Sequence, residues 1–240
     1  MLTRKAWKPE ALIRLLAGVF MGLAVVGIAS NLVNRALGGN VDNLRHGTVA
    51  IASTVVFQFV ALGLVGWFLR AHSLSWAEAF GLSCRRPARI LWIVLAATVT
   101  VFPLSLLLMW GSQRIMVALA VEVVAQPTVQ ALQEAQSLGE KALFAWMAVI
   151  LAPIVEEILF RGIFYPAIRD LGFPRLALWS TALLFAATHA NLVTFASLVF
   201  FAIALTSLYE HTGTLWAPIG THCLFNLANF ALVLVMNGHG

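Results

Sequence analysis

Charge is scarce in this chain: of 240 residues only 15 are Lys or Arg and 10 are Asp or Glu. A soluble domain carries about 25% charged residues, so a water-facing surface over most of the molecule is excluded. Cysteine is scarcer still. Cys84 sits among basic residues and Cys223 deep in the last apolar run, which argues against a disulfide framework or a thiolate metal cage. The two halves show no repeat of the kind that inverted-repeat transporters carry. What abounds is apolar: 61% of residues are hydrophobic and the mean hydropathy is +0.91. The net charge of +5 does not point to nucleic acid, because the basic residues are scattered between apolar runs, where they act as topology signals.

The runs predict an all-α fold, a polytopic membrane helix bundle occupying residues 1–240 as one membrane domain. Spans of about 20 apolar residues match a hydrocarbon core of about 30 Å. They fall at 11–33, 49–69, 90–110, 142–165, 176–190, 192–209 and 214–236. That gives seven, and eight if 115–125 dips into the membrane, although its length and Glu122 favour an interfacial piece. Arg4, Lys5 and Lys8 before an apolar run ending near Gly27-Ile28-Ala29-Ser30 mimic a signal peptide, but the run is too long for one, and an uncleaved first helix is expected. The bias of Lys and Arg between the two sides places the N-terminus in the cytoplasm. The compact chain with no targeting tail suggests a prokaryotic plasma membrane.

Outside the spans, Ser75-Trp76-Ala77-Glu78 has the capping-box pattern, Trp76 and Phe80 form an i, i+4 pair, and Gly81 stops the turn. A short interfacial helix follows from this, and a second surface helix is expected over 127–138. Pro103 and Pro153 should kink their helices. Trp67, Trp92, Trp110, Trp146, Trp179 and Trp216 lie near span ends as interfacial anchors, and Phe195, Phe200 and Phe201 read as packing. His46, His72, His211 and His239 fall in loops or at the terminus and read as solvated.

Against this background the run AVILAPIVEEILFRGIFY stands out, with Glu156, Glu157 and Arg161 set into apolar sequence. A charge at a bilayer centre costs at least about 2.5 kcal/mol on insertion scales, so such residues mark functional sites by default. Glu157 and Arg161 are four apart and share a helix face, so they form an internal ion pair. Glu156 is about 100° round the helix from Glu157 and is left available for chemistry. The bland alternative is that the three charges snorkel to the headgroups, but apolar residues follow Arg161. Two more polar sites come later: Phe185-Ala186-Ala187-Thr188-His189 at the end of an apolar run, and His222-Cys223-Leu224-Phe225-Asn226, where His222 and Asn226 share a face. A lone intramembrane histidine is more often structural than catalytic. Three helices placing polar groups in the same half of the chain favour a common site. Counting 1.5 Å per residue puts Glu156, His222 and Asn226 at similar depth, with His189 deeper at about 20 Å from a start at Leu176.

These motifs, E-E-x-x-x-R, F-x-x-x-H and H-x-x-x-N in that order on successive helices, resemble the CAAX prenyl protease and bacteriocin-processing family of intramembrane glutamic endopeptidases, also called Abi. The likeness lies within 145–230. It implies hydrolysis of a peptide bond in a membrane-associated, CAAX-like prenylated substrate. It further implies that Glu156 with His189 activates water, that His222 with Asn226 forms the oxyanion hole, and that Glu157, Arg161 and Phe185 support them. No cofactor is implied, and the partners would be membrane lipids and a peptide or lipidated protein. Three rivals stay open: a zinc protease using Glu156, His189 and His222, which lacks H-E-x-x-H and leaves Asn226 without a reason; an ion-coupled transporter; and a non-proteolytic scaffold or immunity protein.

Overall fold

The computed structural model describes residues 7–36, 43–83, 86–121, 129, 132 and 137–237. Among them every regular element is helical. We number these α1 (Pro9–Ala36), α2 (Asn43–Ala71), α3 (Trp76–Phe80), α4 (Pro87–Ala118), α5 (Leu138–Arg169), α6 (Pro174–Thr188), α7 (Leu192–Thr212) and α8 (Trp216–Asn237). Six are long and apolar enough to cross a membrane: α1, most of α2, α4, α5, α7 and α8. The protein is therefore a multi-pass membrane protein with six candidate spans among the described residues, where the hydropathy pattern led us to expect seven or eight. The physical reason is length. α6 stands where the span at 176–190 was expected, and its 15 residues rise only about 22 Å against a core of about 30 Å. The expected dip at 115–125 is the end of α4 through Ala118 and a turn, with the rest outside the described residues. The surface helix expected over 127–138, like Cys84, also lies almost wholly outside them.

α5 sits at the centre, touching α2, α3, α6 and α8, while α7 packs on α4, α6 and α8. Two stretches of α5, Met147–Leu151 and Ile158–Phe164, wind more widely than an α-helix. In them the Ala152 N–H reaches back five residues to the Met147 carbonyl and the Tyr165 N–H to that of Phe160. Each stretch stops two residues before a proline, Pro153 and Pro166. A proline in a helix removes one N–H and crowds the carbonyl four residues back, and the wider turn makes room for its ring. Pro153, where a kink is expected, lies within a continuous helix, just after the first wide stretch. Between the two wide stretches the α-helical turn Ala152–Glu157 carries both carboxylates.

One end of the bundle is closed by α3. Ser75 caps it as the sequence predicts: its hydroxyl accepts the Glu78 N–H, and the Glu78 carboxylate accepts the Ser75 N–H at 3.0 Å. Trp76 and Phe80 meet at 5.7 Å between ring centroids. The helix does more than lie on a surface, because Phe80 is fully buried among residues of α1, α2, α5, α7 and α8. Its carbonyl accepts the Leu215 N–H at 3.1 Å. Gly81, at φ +65°, turns the chain where a Cβ would stand 2.1 Å from the Gly213 carbonyl oxygen. His72, expected to be solvated, is half-buried and meets Phe68 at a tilt with ring centroids 4.3 Å apart.

Two tests follow from this end of the bundle. A Cβ at Gly162 would lie 2.7 Å from the Phe80 ring, so Gly162→Ala should destabilise the protein by about 1 to 3 kcal/mol, seen as a lower unfolding temperature in detergent. The Ser75 hydroxyl and amide hold the Glu78 carboxyl below its usual range. A lowered folded pKa means that the cap is intact above the ordinary carboxylate pKa and is lost as pH falls through the lowered value. The protection of the Ser75 amide, which donates to that carboxylate, from hydrogen exchange relative to its intrinsic rate should therefore fall only in that acid window.

Candidate active site

The site forms where α5, α6, α7 and α8 meet, around a carboxylate with no access to solvent. Glu157 is 0% exposed, and its Oε1 accepts two bonds, from Arg161 Nη1 at 2.9 Å and from His222 Nδ1 at 2.8 Å. The pairing with Arg161 is the one that i, i+4 spacing predicts. Arg161 is equally buried, and its Nη2 donates to the Ala202 carbonyl of α7 at 3.0 Å. That carbonyl also accepts the Thr206 hydroxyl at 2.9 Å. The Arg161 guanidinium lies 4.7 Å from the centre of the Phe185 ring, a cation–π contact that supports it from α6. One side chain thus ties α5 to α6 and α7, and Glu157 ties α5 to α8.

Glu156 is placed differently. Its side chain is 30% exposed, and its Oε2 lies 3.8 Å from His222 Nε2. The two ring nitrogens of His222 therefore face the two adjacent carboxylates of α5. Because a carboxylate only accepts, the proton on Nδ1 is fixed by Glu157, and Nε2 is the nitrogen turned to Glu156. The His222 ring is only 3% exposed and is held edge-on by Phe201 at 5.1 Å and Phe185 at 5.8 Å between centroids. Phe201, read from sequence as packing only, is fully buried and also stacks on Phe225 at 4.1 Å.

His189 caps the end of α6, three residues before α7 begins. Its Nδ1 faces the Phe185 carbonyl at 2.9 Å, and since a carbonyl only accepts, Nδ1 carries the proton there too, leaving Nε2 outward. The turn is held on both sides. Ala190 adopts φ +48°, in the left-handed region, and the Asn191 side chain accepts the Thr194 N–H at 3.1 Å to cap α7. The His189 ring meets Phe185 at 5.0 Å, so the Phe185 ring touches both histidines. α6 begins at Pro174, two residues before the start at Leu176 used in the sequence count, so His189 lies about 22 Å along from the start of its helix and the greater depth counted for it stands. Asn226 does not bond His222. Its Nδ2 donates to the Ala148 carbonyl of α5 at 2.8 Å.

The structure thus brings Glu156, Glu157, Arg161, Phe185 and His222 into one contact network, with His189 joined through Phe185 and Asn226 anchored on α5. Glu156, His189 and His222 do not form a metal-ligand set: among the described residues no three His, Cys, Asp or Glu side chains are arranged to hold an ion. Sequence reasoning missed the backbone acceptors at Ala148 and Ala202, which carry no side-chain signal. It also missed the hydrogen bond from the Tyr165 hydroxyl to Glu210, which joins α5 to α7 beyond the site.

Removing one partner of a buried ion pair leaves an uncompensated charge and costs about 3 to 5 kcal/mol. Arg161→Met should show a loss of that size in thermal unfolding in detergent, with Glu157 stranded between α5 and α8.

Residues 138–228, which hold all of these side chains, match the family described as Type II CAAX prenyl endopeptidase Rce1-like. No curated protein and no solved structure matches the chain.

Proposed function

We propose, from the match of residues 138–228 to that endopeptidase family, that the protein is an intramembrane endopeptidase that hydrolyses a peptide bond of a membrane-associated, CAAX-like prenylated substrate. One observation carries the assignment of roles: of two adjacent carboxylates, one is dry and doubly bonded, and the other is partly exposed and faces a histidine nitrogen. Glu156 is then the base. It takes a proton from water, the water oxygen attacks the scissile carbonyl carbon, and the proton passes to the departing amine as the C–N bond breaks. His189, with Nε2 turned away from its own helix end, shares the activation of that water.

His222 and Asn226 stabilise the oxyanion. With Nδ1–H given to Glu157, His222 donates from Nε2 when its ring carries both protons, and Glu157 is the counter-ion for that state. Asn226 has two amide protons and uses one on Ala148, so the second is available to the oxyanion. Glu157, Arg161 and Phe185 keep the ring and the first acid in place. A location in the plasma membrane belongs to the same proposal, as does an N-terminus in the cytoplasm, which the distribution of Lys and Arg supports.

The test is cleavage of a quenched farnesylated CAAX peptide by purified protein in detergent, with and without chelator. Glu156→Gln, His189→Ala and His222→Ala should each lower the rate by roughly 100-fold or more while the protein stays folded. Cleavage retained by all three would overturn the reading. Inhibition by chelator that added zinc reverses would favour the metal-dependent alternative.

A further inference from the structure

The backbone of α5 offers Asn226 an acceptor that an ordinary helix would not have. In the wide stretch Met147–Leu151 the Ala152 N–H is taken by the Met147 carbonyl, five residues back. In an α-helix that same N–H would serve Ala148. If the wide winding continued, the donor to the Ala148 carbonyl would be residue 153, and residue 153 is a proline with no N–H. Both intrahelical donors are thus diverted or missing. The carbonyl is instead met by the Asn226 side chain, Nδ2 to oxygen at 2.8 Å, across the α5–α8 contact and 78 residues away in sequence.

We infer that Pro153 is a positioning residue for the reaction: by leaving the Ala148 carbonyl without a helical donor, it creates the anchor that sets the Asn226 carboxamide with its nitrogen, not its oxygen, toward α5. A carboxamide that could flip would present an acceptor to a developing oxyanion half the time, and repulsion would replace the hydrogen bond. A carbonyl can only accept, so it selects the nitrogen end. The same bond fixes the amide plane one helical turn beyond His222, on the face that the two share. Pro153 lies three residues before Glu156, so one local feature of α5 serves both the acid on its own helix and the amide on α8.

This inference rests on Asn226 acting as an oxyanion donor, and the experiment separates the two. Pro153→Ala supplies an N–H that competes for the helical carbonyls and frees the Asn226 amide. In the peptide assay it should lower kcat by roughly 10- to 100-fold with little change in KM, as expected when a group is misplaced by about 1 Å. Asn226→Ala should lower kcat at least as far, and adding Pro153→Ala to it should change the rate by less than about 2-fold, the signature of two residues acting through one contact. If Asn226→Ala retains full cleavage, the oxyanion role fails and this inference falls with it. If Asn226→Ala is impaired but Pro153→Ala cleaves normally, or if Pro153→Ala costs as much in the Asn226→Ala background as alone, only the inference is overturned. A measurement on the unaltered protein keeps the test available should Pro153→Ala not fold. One Asn226 side-chain amide proton should be slow to exchange by NMR and its geminal partner fast, and fast exchange of both would overturn the anchor.

Discussion

A carboxylate sealed from water cannot stand alone, and Glu157 dictates much of what surrounds it. Its Oε1 gathers a guanidinium from its own helix and an imidazole from α8, and the guanidinium passes on to a backbone carbonyl of α7. Stranding any of these groups in an apolar interior would cost several kcal/mol, so the relative placement of α5, α7 and α8 is constrained at this depth far more tightly than by apolar contacts alone. Membrane helices gain little from burying apolar surface against one another, since lipid is as apolar as leucine. Polar contacts of this kind are what gives such a bundle a defined register.

The same network sorts two chemically identical neighbours. Glu156 and Glu157 differ by one position, yet one is closed off by two donors and the other remains partly open opposite His222 Nε2. The histidine is the element that distinguishes them, one nitrogen to each acid, and Phe185 and Phe201 keep its ring from turning. Aromatic rings suit this task because they fill the space around the polar groups without offering competing hydrogen bonds, and Phe185 adds a π-face to the arginine.

The winding of α5 is the third constraint. Two wide stretches flank the turn that carries the acids, and each ends two residues before a proline. Wider winding both rotates the side chains that follow and releases backbone groups from their usual partners. In soluble proteins released carbonyls turn to water. In this bundle the acceptor at Ala148 finds a side chain from another helix.

Much of this was legible in the residues themselves. An apolar chain with few charges forces helices, because every backbone group must be satisfied within its own segment, and Ser75, Glu78 and Gly81 specify α3 down to its caps. Glu157 and Arg161 announce their bond by spacing alone, since four residues on a helix is a local distance. Hydropathy misjudged α6, where apolar composition runs on through a helix of only 15 residues. What the chain could not reveal is which partner each polar group takes on another helix. That His222 reaches Glu157 at hydrogen-bonding distance, that Arg161 ends on Ala202, and that Asn226 ends on Ala148 all depend on the register and rotation of helices far apart in sequence. Composition and periodicity report what a segment is and which way its faces turn; the depth at which two faces meet is set by packing the whole bundle, and only the tertiary structure fixes it.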